Sequence, residues 1–167
     1  YDYTMARIVD SADVDMVLVG DSVGMVVQGL PDTLGVTLDD MIYHSRCVAR
    51  GLNQAHLTVD MPFMSYQISP EQALASAGRL VKEGHAQSVK LEGGERSAAS
   101  IQVIVEAGSP VVAHIGLPPQ SVNALGGFNV QGRSDAAAEQ LLRDAHAVQE
   151  AGAFCVVADV RIGSVCR

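Results

Sequence analysis

The sequence predicts an α/β fold with a parallel sheet, and more specifically most of a TIM-type (β/α)8 barrel, on three observations. Short β-rich runs alternate with longer helical stretches along the chain, as in parallel sheets whose strands are joined by helical crossovers. Hydrophobic residues make up 48% of the 167 residues and aromatic residues only 4%, which is typical of strands covered on both faces. Finally, a charged or polar residue lies at or near the end of every predicted strand.

The elements follow from the β-rich runs and from the helical spacing of apolar residues. The strands are predicted at 16–19, 57–59, 88–91, 111–115 and 154–157, and the helices at 4–12, 38–50, 70–83, 95–106 and 135–150. Three helices are predicted to stop at Gly84, Gly108 and Gly152, because glycine adopts the left-handed C-cap without steric cost. Ser69 is the predicted N-cap of the third helix, with Gln72 completing a capping box.

Two architectures have this element order. Five strands in 167 residues form a complete doubly wound sheet of the flavodoxin type, or part of an eight-stranded barrel that normally needs ~250 residues. In an open sheet, only the strands beside the topological switch point face a ligand. In a barrel all strand ends converge on one site. Polar residues at every strand end therefore favour a single partial barrel over residues 1–167, with five to six strands present and the others truncated at both ends.

Charge and composition exclude several classes of partner. The formal net charge is −8 and the chain has no Lys/Arg cluster, which argues against nucleic acid and anionic membranes. No apolar stretch reaches the ~20 residues that span a bilayer. The three cysteines have no metal-binding spacing. We therefore expect reduced thiols in a cytoplasmic protein.

Three acidic residues from separate strand ends form the candidate metal site. Asp21, Asp60 and Glu92 supply hard oxygen ligands of the kind that Mg²⁺ prefers. Zinc is less favoured, because no second His or Cys is placed to join His114. The structural alternative is that each Asp caps the helix that follows it.

Lys90 and Glu92 are two residues apart on one predicted strand, so their side chains point to the same face. A lysine inside a buried strand is costly unless it is paired. Lys90 is therefore either the partner of Glu92 in a structural ion pair or the group that holds a substrate carboxylate or a developing enolate. His114 is either a hydrogen-bonded core histidine or a substrate contact.

Seven stretches carry a family resemblance in the same order and spacing. They are Tyr1-Asp2-Tyr3, VGDSVGM (19–25), VQG (27–29), DMPFMSY (60–66), VKLEGG (89–94), HIGLPPQSVN (114–123) and GGFNVQGR (126–133). With these motifs the chain resembles the ketopantoate hydroxymethyltransferases, also called 3-methyl-2-oxobutanoate hydroxymethyltransferases. The resemblance implies a (β/α)8 barrel that transfers a one-carbon unit from 5,10-methylenetetrahydrofolate to 3-methyl-2-oxobutanoate, giving 2-dehydropantoate for pantothenate synthesis. It also implies a homo-oligomer, which in that family is a decamer.

The resemblance assigns roles residue by residue. Asp21 and Asp60 correspond to the direct magnesium ligands, and Glu92 completes the metal site. Asp21, Ser22, Asp60 and Lys90 correspond to contacts of the 2-oxo acid. The expected chemistry is polarisation of the oxo group by Mg²⁺, with Lys90 and the metal stabilising the enolate.

The chain departs from the family at its C-terminal end. The family carries its proton acceptor, a glutamate, in a Leu-Glu-x-Val-Pro pattern, whereas residues 158–162 read ADVRI. Asp159 takes the acceptor position with a side chain one methylene shorter, and a displacement of about 1 Å can cost roughly a hundredfold in rate. The whole tail from Ala158 to Arg167 differs from the family pattern.

Three rival functions accompany this interpretation. The chain is alternatively a non-catalytic remnant that binds metal and oxo acid without turnover, because strands are missing and position 159 is Asp. A magnesium-dependent lyase of the isocitrate lyase superfamily would carry a reactive-cysteine loop, and a flavodoxin-like binding module would carry a glycine-rich phosphate loop. Neither loop is found in the sequence.

Overall fold

The computed structural model describes residues 1–116, 120 and 135–159. Its strands are β1 (Met16–Val19), β2 (His56–Asp60), β3 (Ser88–Glu92), β4 (Val111–Ile115) and β5 (Cys155–Ala158). Its helices are α1 (Tyr3–Asp10), α2 (Val23–Val26), α3 (Leu38–Ala49), α4 (Pro70–Gly84), α5 (Ala98–Glu106) and α6 (Asp135–Glu150), with a 3₁₀ turn at Glu95–Ser97. All predicted strands and helices are therefore present, with ends displaced by up to three residues.

The order of the strands decides between the two architectures. The five strands are arranged β1-β2-β3-β4-β5, so each strand pairs with the next one along the chain, and all four pairings are parallel. A doubly wound sheet reverses its strand order at a switch point, and no reversal occurs among the described strands. The flavodoxin-type alternative is therefore wrong, and the order is that of an incomplete (β/α)8 barrel.

The hydrophobic core lies between the sheet and the helices outside it. Alternate strand residues, including Val59, Val89 and Leu91, are fully buried in this core. The intervening residues point to the other face of the sheet. The predicted alternation on β3 is thereby confirmed, because Val89 and Leu91 join the apolar core while Lys90 and Glu92 belong to the opposite, polar face.

The start of α4 forms as predicted at one of its two capping contacts. The Ser69 hydroxyl accepts a hydrogen bond from the Gln72 backbone N–H at 3.2 Å. The prediction that Gln72 completes the capping box is wrong, because the Gln72 side chain accepts a hydrogen bond from the Ile68 backbone N–H at 3.1 Å instead. Gln72 thus fixes the preceding loop rather than the cap residue.

The predicted glycine stops hold at two of three positions. Gly108 and Gly152 adopt positive φ angles of 92° and 95°. The prediction for Gly84 is wrong, because α4 continues through Gly84 and His85 takes the left-handed position with a φ of 61°. Gly84 instead lets α3 approach closely, since a Cβ there would lie 3.2 Å from Ser45 Oγ. The Ser45 hydroxyl donates to the Gly84 carbonyl at 2.6 Å.

The remaining predictions concern membrane spans, the cysteines and the C-terminal motifs. Within the described ranges, no helix combines the length and apolarity needed to cross a bilayer. Cys47 and Cys155 are free thiols. The motif at 126–133, the tail at 160–167 and Cys166 lie outside the described residues.

Candidate active site

The centre of the candidate site is an ion pair between two neighbouring strands. Asp60 is the last residue of β2 and pairs in register with Lys90 on β3. The Lys90 ammonium donates to Asp60 Oδ1, and both side chains are buried. A structural ion pair between Lys90 and Glu92 was one of the two interpretations of the sequence, but the ion-pair partner of Lys90 is Asp60, its register neighbour on β2.

Asp21 joins this pair from the turn that follows β1. Its backbone N–H donates to Asp60 Oδ2 at 3.1 Å. The approach depends on Gly20, since a Cβ there would lie 2.9 Å from Ser22 Oγ and 3.4 Å from Asp60 Oδ2. Ser22 therefore borders the same small space beside Asp60, and its hydroxyl is hydrogen-bonded to the Tyr1 hydroxyl at 2.6 Å.

Gln120 links the carboxylates of Asp21 and Glu92. Its side-chain amide donates to Asp21 Oδ2 at 2.8 Å and to the Met61 carbonyl at 3.0 Å. Its backbone N–H donates to Glu92 Oε2 at 3.0 Å. Gln120 belongs to the HIGLPPQSVN motif, but its role was not predicted from the sequence. Its place in that motif, shortly after the end of β4, was the available signal.

Tyr66 is the second site residue whose role was not predicted from the sequence. Its buried hydroxyl donates to Gln120 Oε1 at 2.7 Å and accepts the Glu92 backbone N–H at 3.1 Å. Burial raises the pKa of the Tyr66 phenol, and the negative charge of Glu92 acts in the same direction. The phenol therefore stays protonated and remains a hydrogen-bond donor to Gln120.

His114 and Asp159 extend the site across β4 and β5. Asp159 directly follows β5, and its carboxylate Oδ2 lies 2.9 Å from His114 Nε2. The other ring nitrogen, Nδ1, lies 3.5 Å from Glu92 Oε1 and has no hydrogen-bond partner among the described residues. His114 is buried, whereas the Asp159 side chain is 55% exposed. The structure thus places Asp159 at the rim, hydrogen-bonded to a buried imidazole whose other nitrogen faces Glu92.

The electrostatics of the cluster favour an additional positive charge. Burial raises the pKa of Asp21 to about 6, and the charge of Asp60 acts in the same direction, while the hydrogen bond from Gln120 opposes them. Burial alone would lower the pKa of Lys90, but the charge and hydrogen bond of Asp60 outweigh it and raise that pKa. Three carboxylates, those of Asp21, Asp60 and Glu92, share this cluster with the buried ammonium of Lys90. Acidic side chains therefore outnumber the lysine.

The donor chemistry of the cluster fits a hard divalent cation. Asp21, Asp60 and Glu92 are oxygen donors, and their excess negative charge is what Mg²⁺ sites commonly provide. Within residues 1–116, 120 and 135–159, however, no three His, Cys, Asp or Glu side chains already stand in a metal-holding geometry. Asp60 is engaged by Lys90, and the other two carboxylates are held by Gln120. The predicted ligand set therefore remains a prediction.

Comparisons with protein sequences place this site in a family. The sequence profile described as ketopantoate hydroxymethyltransferase matches residues 1–166. Proteins named 3-methyl-2-oxobutanoate hydroxymethyltransferase are similar over 157 residues, or 94% of the chain: 62% identical in Syntrophotalea carbinolica, 56% in Clostridium beijerinckii and 57% in Enterococcus faecalis. The chain spans 59%, 57% and 57% of the length of these relatives.

Solved structures confirm the fold. A phosphonopyruvate hydrolase in complex with oxalate and Mg²⁺ is similar with a TM-score of 0.70 at 13% identity, covering 96% of this chain and 56% of that one. A 2,3-dimethylmalate lyase of the PEP mutase/isocitrate lyase superfamily is similar with a TM-score of 0.66 at 18% identity, covering 95% and 54%. At these identities the likeness shows the shared architecture alone, an incomplete (β/α)8 barrel.

Proposed function

This chain belongs to the ketopantoate hydroxymethyltransferase family, and from that premise we propose that its protein transfers a one-carbon unit from 5,10-methylenetetrahydrofolate to 3-methyl-2-oxobutanoate. The product is 2-dehydropantoate, a precursor in pantothenate synthesis. One observation carries the proposal. The four charged residues named from the sequence, Asp21, Asp60, Lys90 and Glu92, meet in one connected cluster at the same rim of the sheet. A cytoplasmic homo-oligomer belongs to the same proposal.

The carboxylates of Asp21, Asp60 and Glu92 are the residues that would hold Mg²⁺ in this proposal. The metal, when bound, would polarise the 2-oxo group of the acceptor and acidify its C3 proton. The excess negative charge of the cluster supports this assignment.

The remaining residues bind the acceptor and move its proton. The ammonium of Lys90 is buried beside Asp60, where a fixed positive charge stabilises a developing enolate oxygen. Ser22 borders the same space and offers a hydroxyl to the acceptor. Asp159 accepts the C3 proton, and its contact with His114 Nε2 orients the carboxylate.

The transfer forms one carbon–carbon bond and breaks two carbon–nitrogen bonds. The acceptor loses its C3 proton to the base, and C3 forms a bond to the methylene carbon of the donor. The two bonds between that carbon and the donor nitrogens break, and water supplies the hydroxyl group of the product. The base proton and the second water proton end on the two nitrogens of tetrahydrofolate.

The test uses a completed barrel, in which residues 1–159 of this chain replace the aligned segment of the S. carbinolica relative. This protein is expected to form 2-dehydropantoate only when Mg²⁺, the 2-oxo acid and the folate donor are all present. Without the donor, it is expected to exchange the C3 proton of the acceptor with D₂O, as followed by NMR. Asp60→Asn, which keeps the shape of the side chain, should lower turnover by about a hundredfold or more.

Asp39→Asn is the matched control, because Asp39 is an exposed residue of α3 that pairs with Arg79 outside the site. It should leave turnover unchanged. Circular dichroism and size-exclusion chromatography establish that both variants are folded. Equal turnover in Asp60→Asn and in the parent would refute the site.

A second candidate function is favoured by one observation at the rim. The Asp159 side chain is shorter than the glutamate implied by the resemblance and is 55% exposed, so it is poorly placed to accept the C3 proton. The second candidate function is therefore a remnant that binds metal and oxo acid without turnover. In that case the completed barrel binds the acceptor but neither exchanges its proton nor turns over, and Asp159→Glu restores both activities.

A further inference from the structure

A carboxylate on the inward face of α6 belongs to none of the roles assigned so far. Leu141 and Val148 are buried on this face, and Ala145 packs against the core beside them. Asp144 lies three residues after Leu141 and four before Val148, so it interrupts the apolar stripe of the helix. A partly buried carboxylate needs polar partners, and Asp144 finds one of them in the turn that follows β3.

Asp144 anchors this turn to α6. Its Oδ1 accepts a hydrogen bond from the Glu95 backbone N–H at 3.0 Å and another from the Gln140 side-chain amide at 3.2 Å. The same amide of Gln140 donates to Glu95 Oε2 at 2.9 Å. The turn is therefore held by α6 both at its backbone and at its side chain.

The second glycine of the VKLEGG motif makes this contact possible. A Cβ at Gly94 would lie 1.9 Å from Asp144 Oδ1 and 2.2 Å from Asp144 Cβ, so a side chain there would displace the carboxylate. Glu95 and Asp144 are 49 positions apart in the sequence. A motif residue that takes no part in the charged cluster is thus accounted for by the close approach of α6.

The anchored turn is in direct contact with the backbone of Glu92. The Ser97 N–H donates to the Gly94 carbonyl at 2.9 Å and closes the turn, and the Ser97 hydroxyl donates to the Glu92 carbonyl at 2.8 Å. The Gly93 N–H donates to the His114 carbonyl at 2.8 Å. Glu92 is therefore tied on one side to the turn that α6 holds and on the other side to β4.

We propose that Asp144 is a positioning residue for the carboxylate of Glu92. With the turn anchored to α6, this carboxylate is held where it accepts the Gln120 backbone N–H, while the side chain of Gln120 reaches Asp21. The inference rests on the proposed function in taking Glu92 as part of the metal site. Removal of a group that orients a metal ligand typically lowers metal affinity by ~10–100-fold. Asp144 therefore tunes the affinity of the site from outside it.

The first test follows the backbone of the metal-free completed barrel by hydrogen-exchange mass spectrometry. In Asp144→Ala the amides of Glu92 and Gly93 are expected to exchange about tenfold faster, because a hydrogen bond to a charged group is lost from the turn that holds them. Asp144→Asn keeps an oxygen acceptor and should restore the parent rates. Glu139→Ala is the control, since Glu139 is an exposed acidic residue of the same helix. Parent rates at Glu92 and Gly93 in Asp144→Ala would overturn the inference.

The second test measures the binding of Mn²⁺ alone to the completed barrel by isothermal titration calorimetry, since Mn²⁺ favours the same oxygen ligands as Mg²⁺. Asp144→Ala is expected to weaken Mn²⁺ binding by about tenfold or more, and Asp144→Asn should bind as the parent does. In a Glu92→Gln background the change Asp144→Ala should have no further effect, because Asp144 acts through Glu92. If the parent binds Mn²⁺ and Asp144→Ala binds it equally tightly, the inference is overturned.

Glu95→Pro decides the question if Asp144→Ala does not fold. It removes the N–H that Asp144 accepts, while proline suits the first position of a helical turn. It should speed exchange at Glu92 and Gly93 about tenfold as well, and parent rates there would overturn the inference. If exchange at Glu92 rises as expected but the parent neither binds Mn²⁺ nor turns over, the proposed function is overturned instead and the positioning of Glu92 stands.

Discussion

At the scale of single residues, two neutral side chains hold the acidic cluster together. The hydroxyl of Tyr66 bridges the Gln120 amide and the Glu92 backbone, and Gln120 in turn reaches Asp21. Removing a buried bridging group leaves its former partners unsatisfied, which costs about 1–3 kcal/mol for each group. The arrangement of the carboxylates therefore depends on residues that carry no charge themselves.

Tyr66→Phe tests this dependence with the loss of one oxygen atom. In the completed barrel we expect the free energy of unfolding in urea to fall by about 1–3 kcal/mol, because two hydrogen bonds are lost in a buried place. Turnover should fall as well, since the positions of Gln120 and Glu92 are no longer fixed. Tyr43→Phe is the matched control, because Tyr43 is exposed on α3. Equal stability of the Tyr66 variant and the parent would contradict the bridging role.

The charged residues of the site could be named from the sequence, and their neutral partners could not. Asp21, Asp60 and Glu92 end or follow strands, and parallel strands bring such residues to one rim. Gln120 reaches Asp21 across 99 positions of sequence, and no local pattern predicts such a contact. The partner of Lys90 was missed for a related reason. Strand periodicity shows which face a side chain occupies, but only the register shows which neighbour it meets.

At the scale of elements, α3 begins with a reciprocal capping box. The Thr37 hydroxyl accepts the Asp40 backbone N–H at 3.1 Å, and the Asp40 carboxylate accepts the Thr37 backbone N–H at 2.9 Å. The hydrogen bonds from Thr37 lower the pKa of Asp40 below its ordinary value of 3.8. The ionised form of Asp40 is therefore the one that stabilises this helix end.

Thr37→Ala should lower the free energy of unfolding of the completed barrel by about 1 kcal/mol at neutral pH, the usual effect of removing an N-cap side chain. Because the folded pKa of Asp40 is lowered, the contribution of its carboxylate is fully present above the unfolded pKa and is lost as the pH falls through the folded one. The difference between variant and parent should thus shrink below pH 3.8. Urea unfolding across this range measures it, with Thr4→Ala on α1 as the control. A difference that grows on acidification would contradict the capping role.

Sequence patterns predicted the elements well where one local rule governs them. Ser69 caps α4 because an N-cap needs only a hydroxyl and a nearby N–H. The predicted beginning of the fourth helix, at residue 95, was less accurate, since Glu95–Ser97 forms a 3₁₀ turn before α5. There the Ser97 hydroxyl donates a hydrogen bond to the Glu92 backbone carbonyl at 2.8 Å. That contact joins the helix start to the site, and helical periodicity carries no information about it.

At the scale of the whole molecule, the barrel interior is open on one side. Met16 and Leu18 on β1 are 37% and 46% exposed, and Val157 on β5 is 36% exposed. Side chains at alternate positions of barrel strands normally fill a packed interior. β1 and β5 are also the terminal strands of the described sheet, and unpaired strand edges readily associate with other chains. These apolar residues therefore match surfaces that a closed barrel would bury.

Leu18→Glu should act in opposite directions in the open and the closed forms. In the 167-residue chain, a charge beside the exposed edge should reduce self-association, as measured by sedimentation velocity, because charged side chains discourage edge-to-edge pairing. In the completed barrel the same charge would be buried without a partner, which costs several kcal/mol after relaxation, so urea unfolding should show a large loss of stability. Ile8→Glu is the control, since Ile8 is exposed on α1, outside the sheet, and its effect should be small in both proteins. If Leu18→Glu left the completed barrel as stable as the parent, β1 would not face a closed interior, and the cluster around Asp60 would lack the enclosure that makes Lys90 an effective electrophile.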